Sequence, residues 1–287
     1  MTIWRAVEDT SYFLLGLPFL VISFVKNRAL GYTTPTGYDS ADAEKAGEYA
    51  NHIYEVWKTH LGSDFVAGKR VLELCPGNSL GIGARVIGDG AESYLAVDAF
   101  SLVRPANTDA AIAASGMSVE TEARVRSTMQ DPSLFDYKVD REFDIPRMVD
   151  GRKFDVIFSC ASFEHFDNIE ATIAGVSEVA APGGVTAHIV DFQTHTKWIR
   201  DVDPNSIYRY PNWLYRLLGY GGQPNRRRPK EYIHSFAQNG WQRPFFSHTV
   251  TVPDKPRHLK GLQTEFRDDP DDMRILNGIL IAQRPLQ

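Results

Sequence analysis

The first strong pattern along the chain is an unbroken apolar run from Tyr12 to Val25, flanked by Arg5 on one side and Lys26 and Arg28 on the other. Its 14 residues fall short of the roughly 20 needed to cross a hydrocarbon layer as a helix. Pro18, at its centre, predicts a break or kink. Asn27–Arg28–Ala29 lacks the small-residue pattern of a signal cleavage site. Two roles fit the run. One is a cap packed on the domain or on a second subunit; the other is an interfacial anchor with Trp4 and the flanking cations at headgroup level.

The segment 33–45 reads as a loop leading into a helix, with Ser40 as its N-cap. Ala46, Ala50, Ile53, Trp57 and Leu61 recur at three-to-four-residue spacing and predict a helix over Ala41–Leu61. The pattern then alternates. Short β-branched runs predict strands at Lys69–Leu74, Ser93–Val97, Phe135–Val139 and Phe154–Ser159. A helix over Asn168–Ala180 is expected to stop at Pro182–Gly183–Gly184, with a fifth strand over Val185–Phe192. This order calls for a parallel sheet with helices on both faces.

Residues 194–230 interrupt the rhythm with repeated Tyr, Trp, Arg, Pro and Gly, as a lid, a substrate platform or a self-packed surface insert would. A helix over Lys230–Asn239 and strands at Thr249–Val252 and Gly278–Gln283 close the chain, with a helix-like His258–Phe266 between those strands. That ending predicts an antiparallel hairpin at the sheet edge.

Composition narrows the function classes. With 287 residues, 43% hydrophobic and 23% charged, the chain fits one large globular domain. The reading is an apolar N-terminal segment over 1–32 and a domain over 33–287. The 31 basic and 36 acidic side chains give a net charge of −5. Arg226–Arg227–Arg228 is too short a cluster to grip a nucleic-acid backbone. Cys75 and Cys160 are the only cysteines, too few for a disulfide framework or zinc spacing. A reducing cytoplasmic setting is expected.

The first strand runs into Cys75–Pro76–Gly77–Asn78–Ser79–Leu80–Gly81, where glycine lets backbone N–H groups approach a ligand. Asp98 ends the next strand, placed to accept both hydroxyls of a ribose. The spacing is not G-x-G-x-x-G, since Cys75 holds its first position, which argues against a nicotinamide cofactor.

VLELCPGNSLGIG, AVD, FDVIFSCASFEHF and APGG follow in order, and ILIAQR closes the chain. In these motifs the sequence resembles the class I S-adenosylmethionine-dependent methyltransferases. PGNSLG, DFQTH and the aromatic insert place it beside bacterial enzymes that methylate sugars and cell-surface glycans. The resemblance implies a Rossmann-like α/β fold, a seven-stranded mostly parallel sheet with the last strand antiparallel. It further implies that Glu73 orients the glycine loop or meets the methionine ammonium. Cys75, Gly77, Asn78, Ser79 and Gly81 would cradle the methionine end. Asp98 would hold the ribose, Asp140 would face the adenine, and Cys160 would line the pocket through its backbone.

Methyl transfer is an in-line displacement at an activated carbon, so alignment supplies much of the rate. An alcohol acceptor also needs a base or a metal ion. His165, His188, Asp191 and His195 are the available groups. His188 begins the fifth strand and reads as a packed core residue. Asp191 and His195 lie at the strand's C-terminal end, which makes His195 the candidate base, Asp191 its orienter, and His165 a neighbour of the methyl donor. Glu164, His165, Asp191 and His195 could alternatively gather Mg2+.

The leading expectation is O-methylation of a sugar or glycan, with Tyr208, Tyr210, Trp213 and Tyr215 stacking on the ring and Arg209 and Arg226–Arg228 meeting acidic groups. Alternatives are a lipophilic acceptor (a quinone, phenol or polyketide) delivered beside the N-terminal run, or an inactive methyltransferase-like binding module. The departure at Cys75 favours the module; Asp98, Glu164–His165 and Pro182–Gly184 weigh against it. Expected partners are a small-molecule or glycan substrate, no nucleic acid, a second copy as a homodimer, and peripheral contact of residues 1–30 with the inner membrane face.

Overall fold

A computed structural model describes residues 3–29, 42–252 and 259–286. Among these, the helices are α1 (Ile3–Ala29), α2 (Ala43–Leu61), α3 (Gly81–Gly88), α4 (Pro105–Ala113), α5 (Val119–Thr128) and α6 (Ile145–Met148). They continue with α7 (Ile169–Val179), α8 (Lys197–Arg200), α9 (Asn212–Leu217), α10 (Pro229–Gln238), α11 (Thr264–Arg267) and α12 (Pro270–Arg274). The strands are β1 (Arg70–Leu74), β2 (Ser93–Asp98), β3 (Phe135–Val139), β4 (Phe154–Cys160), β5 (Ala180–Asp191), β6 (Gln242–Thr251) and β7 (Ile275–Gln283).

The seven strands form one sheet in the order β3-β2-β1-β4-β5-β7-β6. β1 to β5 are parallel neighbours, and β7 runs antiparallel to both β5 and β6. Chain order reverses between β1 and β4, so the loops leaving their C-terminal ends part there and leave a crevice, the usual ligand position in open α/β sheets. This is the Rossmann-like sheet of the class I methyltransferase type, with the expected reversed strand.

Both faces are covered. On one, Tyr54 and Trp57 of α2 pack with Ile82, Val86 and Ile112 over β1, β2 and β4, and the Trp57 ring stacks on Phe158 at 4.3 Å. On the other, Ile145, Ile173, Val176, Tyr232 and Phe236 cover Leu72, Ile157 and Leu280. A third, separate cluster joins α1 to the 194–230 insert through Leu20, Ile207, Tyr208, Tyr210 and Tyr215.

Several boundaries differ from the sequence expectation. The cap of α2 is Asp42, which accepts from the Lys45 N–H at 3.3 Å; Ser40 and the loop 33–41 lie outside the described residues. Pro182–Gly184 does not separate α7 from β5. It lies inside β5, where the Gly183 N–H donates to the Pro285 carbonyl at 2.8 Å. This is the end of the sheet opposite the crevice, so the segment serves the turn of the fold and says nothing about whether a site is active. β6 begins at Gln242 rather than Thr249, and two short helices, α11 and α12, replace the single helix read over His258–Phe266, whose first residue is not described.

Pro18 does not break α1, which runs 27 residues. Its stretch Thr10–Arg28 is 19 residues, long and apolar enough, by length and composition, to cross a membrane. Pro18 falls on the outward face, where the Leu14 carbonyl that it deprives of an N–H partner also lies.

Candidate active site

Four strand ends converge on the crevice. β1 delivers Glu73 and Cys75, β2 delivers Asp98, β4 delivers Cys160 and the turn Phe163–His165, and β5 delivers Asp191 and His195.

Cys75 holds the position where the resemblance expects glycine, and it takes a glycine-like conformation, with φ +55°. Its N–H donates to the Val97 carbonyl at 2.8 Å, tying the loop to β2. Gly77 also has positive φ, at +71°, and a Cβ there would meet nothing within 4 Å, so its backbone borders open space. Asn78 and Ser79 are buried. The Asn78 carbonyl accepts from the Arg104 N–H at 3.0 Å, and Ser79 Oγ accepts from the Gly81 N–H at 3.0 Å. Gly81 has a different task from the cradle expected for it. A Cβ there would overlap the Ala111 methyl of α4, so it permits close packing of two helices.

Asp98 is 3% exposed. Its Oδ1 accepts from the Phe100 N–H at 2.9 Å, while its Oδ2 is buried and has no hydrogen-bond partner. Burial pushes its carboxyl up to about 6, against the opposing N–H groups of Phe100, Ala99 and Gly77. The group thus sits beside the glycine loop with one acceptor oxygen unanswered, a costly arrangement that a ligand hydroxyl would satisfy. The Glu73 carboxyl is buried and accepts from the Tyr94 hydroxyl at 2.5 Å; burial pushes it up to about 8. Asp140 follows β3 beside the Asp98 backbone, but its carboxylate is paired with Arg147 and accepts from the Glu142 N–H at 3.0 Å. Cys160 Sγ lies 3.3 Å from the Tyr49 hydroxyl of α2, and burial pushes the thiol up to about 12. Tyr49 had no signal in the sequence beyond its place on a helix.

On the β4–β5 side, Asp191 Oδ2 lies 3.5 Å from His195 Nε2 and 2.6 Å from Arg200 Nη2, and its Oδ1 accepts from the Gln193 N–H at 3.0 Å. Burial pushes the Asp191 carboxyl up, yet His195 and Arg200 outweigh it and hold the group below its usual range. His165 and His195 face one another with ring centroids 4.7 Å apart. The carbonyl of Gly222 lies 2.6 Å from His165 Nδ1, which fixes the tautomer with the proton on that nitrogen. Burial, and then the charge of His195, push His165 down to about 4, so it is neutral near pH 7. Glu164 is 3% exposed, and neither carboxylate oxygen has a hydrogen-bond partner. Arg200, which anchors Asp191, was not singled out in the sequence because it sits on a one-turn helix of the insert.

His188 is a core residue, though it does not begin its strand as the sequence suggested: β5 starts at Ala180, and His188 lies near its C-terminal end. Ser159 Oγ lies 2.8 Å from its Nδ1, Thr186 Oγ1 bonds its Nε2, and its ring stacks on Phe163 at 4.0 Å.

The insert corrects the expected sugar platform. Tyr208, Tyr210 and Tyr215 are buried in its interior; of the four aromatics named, only Trp213 is exposed, at 66%. Arg209 forms a fully buried two-pronged pair with Asp203, both bonds 2.7 Å. Arg226 donates to the carbonyls of Ile207 and Tyr210, Arg227 pairs with Glu231 and Glu170, and Arg228 binds Asp272 and the Ile275 carbonyl. These arginines tie the insert together and are not offered to a substrate. A narrow cleft remains between α1 and the insert, lined by Leu20, Ile199 and Tyr210 but also by Ser23, Thr196 and Gln223, and it reaches His195.

No family model and no curated protein matches the sequence. Among solved structures, the chain is similar to a Listeria monocytogenes protein assigned to the S-adenosylmethionine-dependent methyltransferases (16% identity, 83% of this chain and 99% of that one, TM-score 0.45). It is also similar to an S-adenosylmethionine-dependent methyltransferase from Mesorhizobium loti (16%, 76% and 92%, TM-score 0.40). A third is a phosphoethanolamine N-methyltransferase of Haemonchus contortus in complex with phosphomonomethylethanolamine and S-adenosylhomocysteine (13%, 92% and 60%, TM-score 0.48). At these values any functional reading rests on the site itself. The sheet order with its reversed β7, and the crevice at the β1/β4 reversal, define the fold as Rossmann-like of the class I methyltransferase type.

Proposed function

We propose that this protein is an S-adenosylmethionine-dependent methyltransferase acting on the hydroxyl of a lipophilic acceptor. The observation that carries the cofactor is Asp98, buried beside the Gly77 loop with an unanswered Oδ2. Asp98 would hold the ribose and the Gly77–Asn78 backbone would border the methionine end. When bound, the cofactor supplies a methyl group on a positively charged sulfur.

The chain's own residues prepare the acceptor. Arg200 and Gln193 fix Asp191, which in turn orients His195. His195 then takes the acceptor proton, while neutral His165 accepts a hydrogen bond through Nε2. The exposed apolar face of α1 beside the site supports a lipophilic acceptor, and the inward-turned aromatics of the insert withdraw support from the glycan reading.

Delivery from a lipid surface follows from α1. Its inner face packs on the insert, while Leu14, Leu15, Val21, Ile22 and Val25 point outward and are at least 39% exposed. Lys26 and Arg28 lie at its C-terminal end, and the exposed Trp198 neighbours Phe19 at 6.3 Å. A helix apolar on both faces needs a second cover. The cations favour an anionic bilayer lying flat against it, with the domain at the cytoplasmic face. The Trp4 side chain is not among those described.

Calorimetric titration with S-adenosylmethionine and S-adenosylhomocysteine tests the cofactor. Micromolar binding, weakened at least tenfold by Asp98→Ala, is expected; absence of binding by the folded protein would overturn the reading in favour of an inactive module. Co-sedimentation with anionic vesicles, lost in Leu14→Ser/Val21→Ser/Val25→Ser, tests the surface; equal pelleting of both proteins would refute it.

A further inference from the structure

We infer that Glu164, His165 and His195 form a binding site for one divalent transition-metal ion on the acceptor side of the crevice. Each offers a ligand atom, and the three atoms lie within 4.8 Å of one another. Ions of this class bind imidazole nitrogen and carboxylate oxygen at about 2.0–2.2 Å, so modest side-chain rotation closes the set.

Three independent features support it. First, Glu164 is almost fully buried with both oxygens unpartnered. A buried carboxyl that no side-chain donor meets is costly. A bound cation would remove the penalty. Second, His165 is held in the manner of a metal ligand. Its Nδ1 faces the Gly222 carbonyl at 2.6 Å, leaving the Nε2 lone pair for an ion. Third, His195 is backed by a carboxylate, Asp191, itself fixed by Arg200. Backbone carbonyls and carboxylates behind ligating histidines orient the rings and raise their basicity.

The donors also select the metal. Two imidazoles and one carboxylate favour Zn2+ or a neighbouring first-row ion, whereas Mg2+ prefers oxygen ligands in octahedral array. Mg2+, the ion expected from the sequence, is therefore the wrong class for this set. Asp191, included in that earlier ligand group, is engaged by Arg200 and Gln193 and serves as support.

His195 Nε2 faces Asp191, so its other nitrogen either holds the ion or takes the acceptor proton; in the ion-bound protein the metal would take over from His195 in lowering the pKa of the acceptor hydroxyl. Ion binding is read without turnover, so its outcome is separate from the methyl-transfer reading. Untagged, chelator-treated full-length protein is titrated with Zn2+ by calorimetry and with Co2+ by visible absorption. One equivalent is expected to bind, unaffected by a large excess of Mg2+. His165→Ala and His195→Ala should each weaken binding at least about tenfold, as should Glu164→Gln, which retains shape. His234→Ala, exposed on α10, should leave it unchanged. Zn2+ should also raise the melting temperature of the parent and not of the His165→Ala protein. No bound equivalent, or binding indifferent to both histidine substitutions, would overturn the site.

Discussion

His188 should make this protein acid-sensitive in a way that one substitution removes. Its ring is fully buried between Phe163 and Phe236, and its two nitrogens are taken by Ser159 and Thr186. Burial pushes it down to about 3, against about 6.5 in an unfolded chain. The unfolded state therefore takes up the proton first. The stabilising contribution is complete above pH ~6.5 and is lost as pH falls toward 3, at about 1.4 kcal/mol per unit. Between pH 7.5 and 4.5 the loss is on the order of 2–3 kcal/mol. Glu73 and Asp98 act in the opposite sense. Burial raises both carboxyls, so each favours the folded state at low pH and loses that advantage as pH rises through about 8 and about 6 respectively. A difference between two proteins cancels these shared terms. Urea unfolding of the parent and of His188→Gln, which hydrogen-bonds without titrating, should be compared at pH 7.5, 5.5 and 4.5. The stability gap between them should narrow by about 2–3 kcal/mol toward acid. Parallel curves would refute the assignment of His188 as a buried neutral imidazole.

Cys75→Gly should gain up to about 1 kcal/mol in urea unfolding, since it relieves a left-handed φ at a small cost in chain freedom; a loss would show that the thiol packs usefully. Gly81→Ala should destabilise by about 1–3 kcal/mol through overlap with Ala111, and Ala111→Gly should rescue it. Collapse of cofactor affinity at unchanged stability would instead return Gly81 to the ligand cradle. Arg209→Met leaves Asp203 charged and buried, so a loss of about 3–5 kcal/mol is expected, most of it recovered in Arg209→Met/Asp203→Leu; a melting curve like the parent's would refute the pair's importance.

The parts of the fold that were legible in the sequence are those set by local chemistry. β1 to β4 announced themselves as short apolar runs, the first three closed by Pro–Gly or Asp, and the ends of β1 and β2 carry the glycine loop and Asp98. Asp191 and His195 fall at the C-terminal end of β5 and just beyond it, where the polarity of the sheet put them, whereas His188, read as beginning the strand, lies near that same end because β5 starts at Ala180. The insert was opaque for a different reason. Arg209, Arg226 and Arg228 look like free cations until Asp203, Asn212 and Asp272 are brought to them, and two of those three partners come from distant or irregular segments. Its tyrosines likewise show no period from which burial could be read. The continuity of α1 through Pro18 depends on which side the proline faces, and the tertiary contact that settles this, with Tyr210, is almost 200 residues away in the chain.

That contact has a consequence for how the molecule comes apart. The α1–insert cluster shares no residue with the clusters on either face of the sheet. It is therefore a candidate unit of independent opening, able to separate while the sheet stays intact. Gly16, where any larger side chain would meet the Tyr210 hydroxyl, is the latch of that unit. Loosening it would expose amides of the insert to hydrogen exchange together with those of α1, well before those of β1 and β4. Asp191 and Arg200 straddle the seam, one on the sheet and one on the insert, so the arrangement proposed to orient His195 exists only while the two bodies are joined.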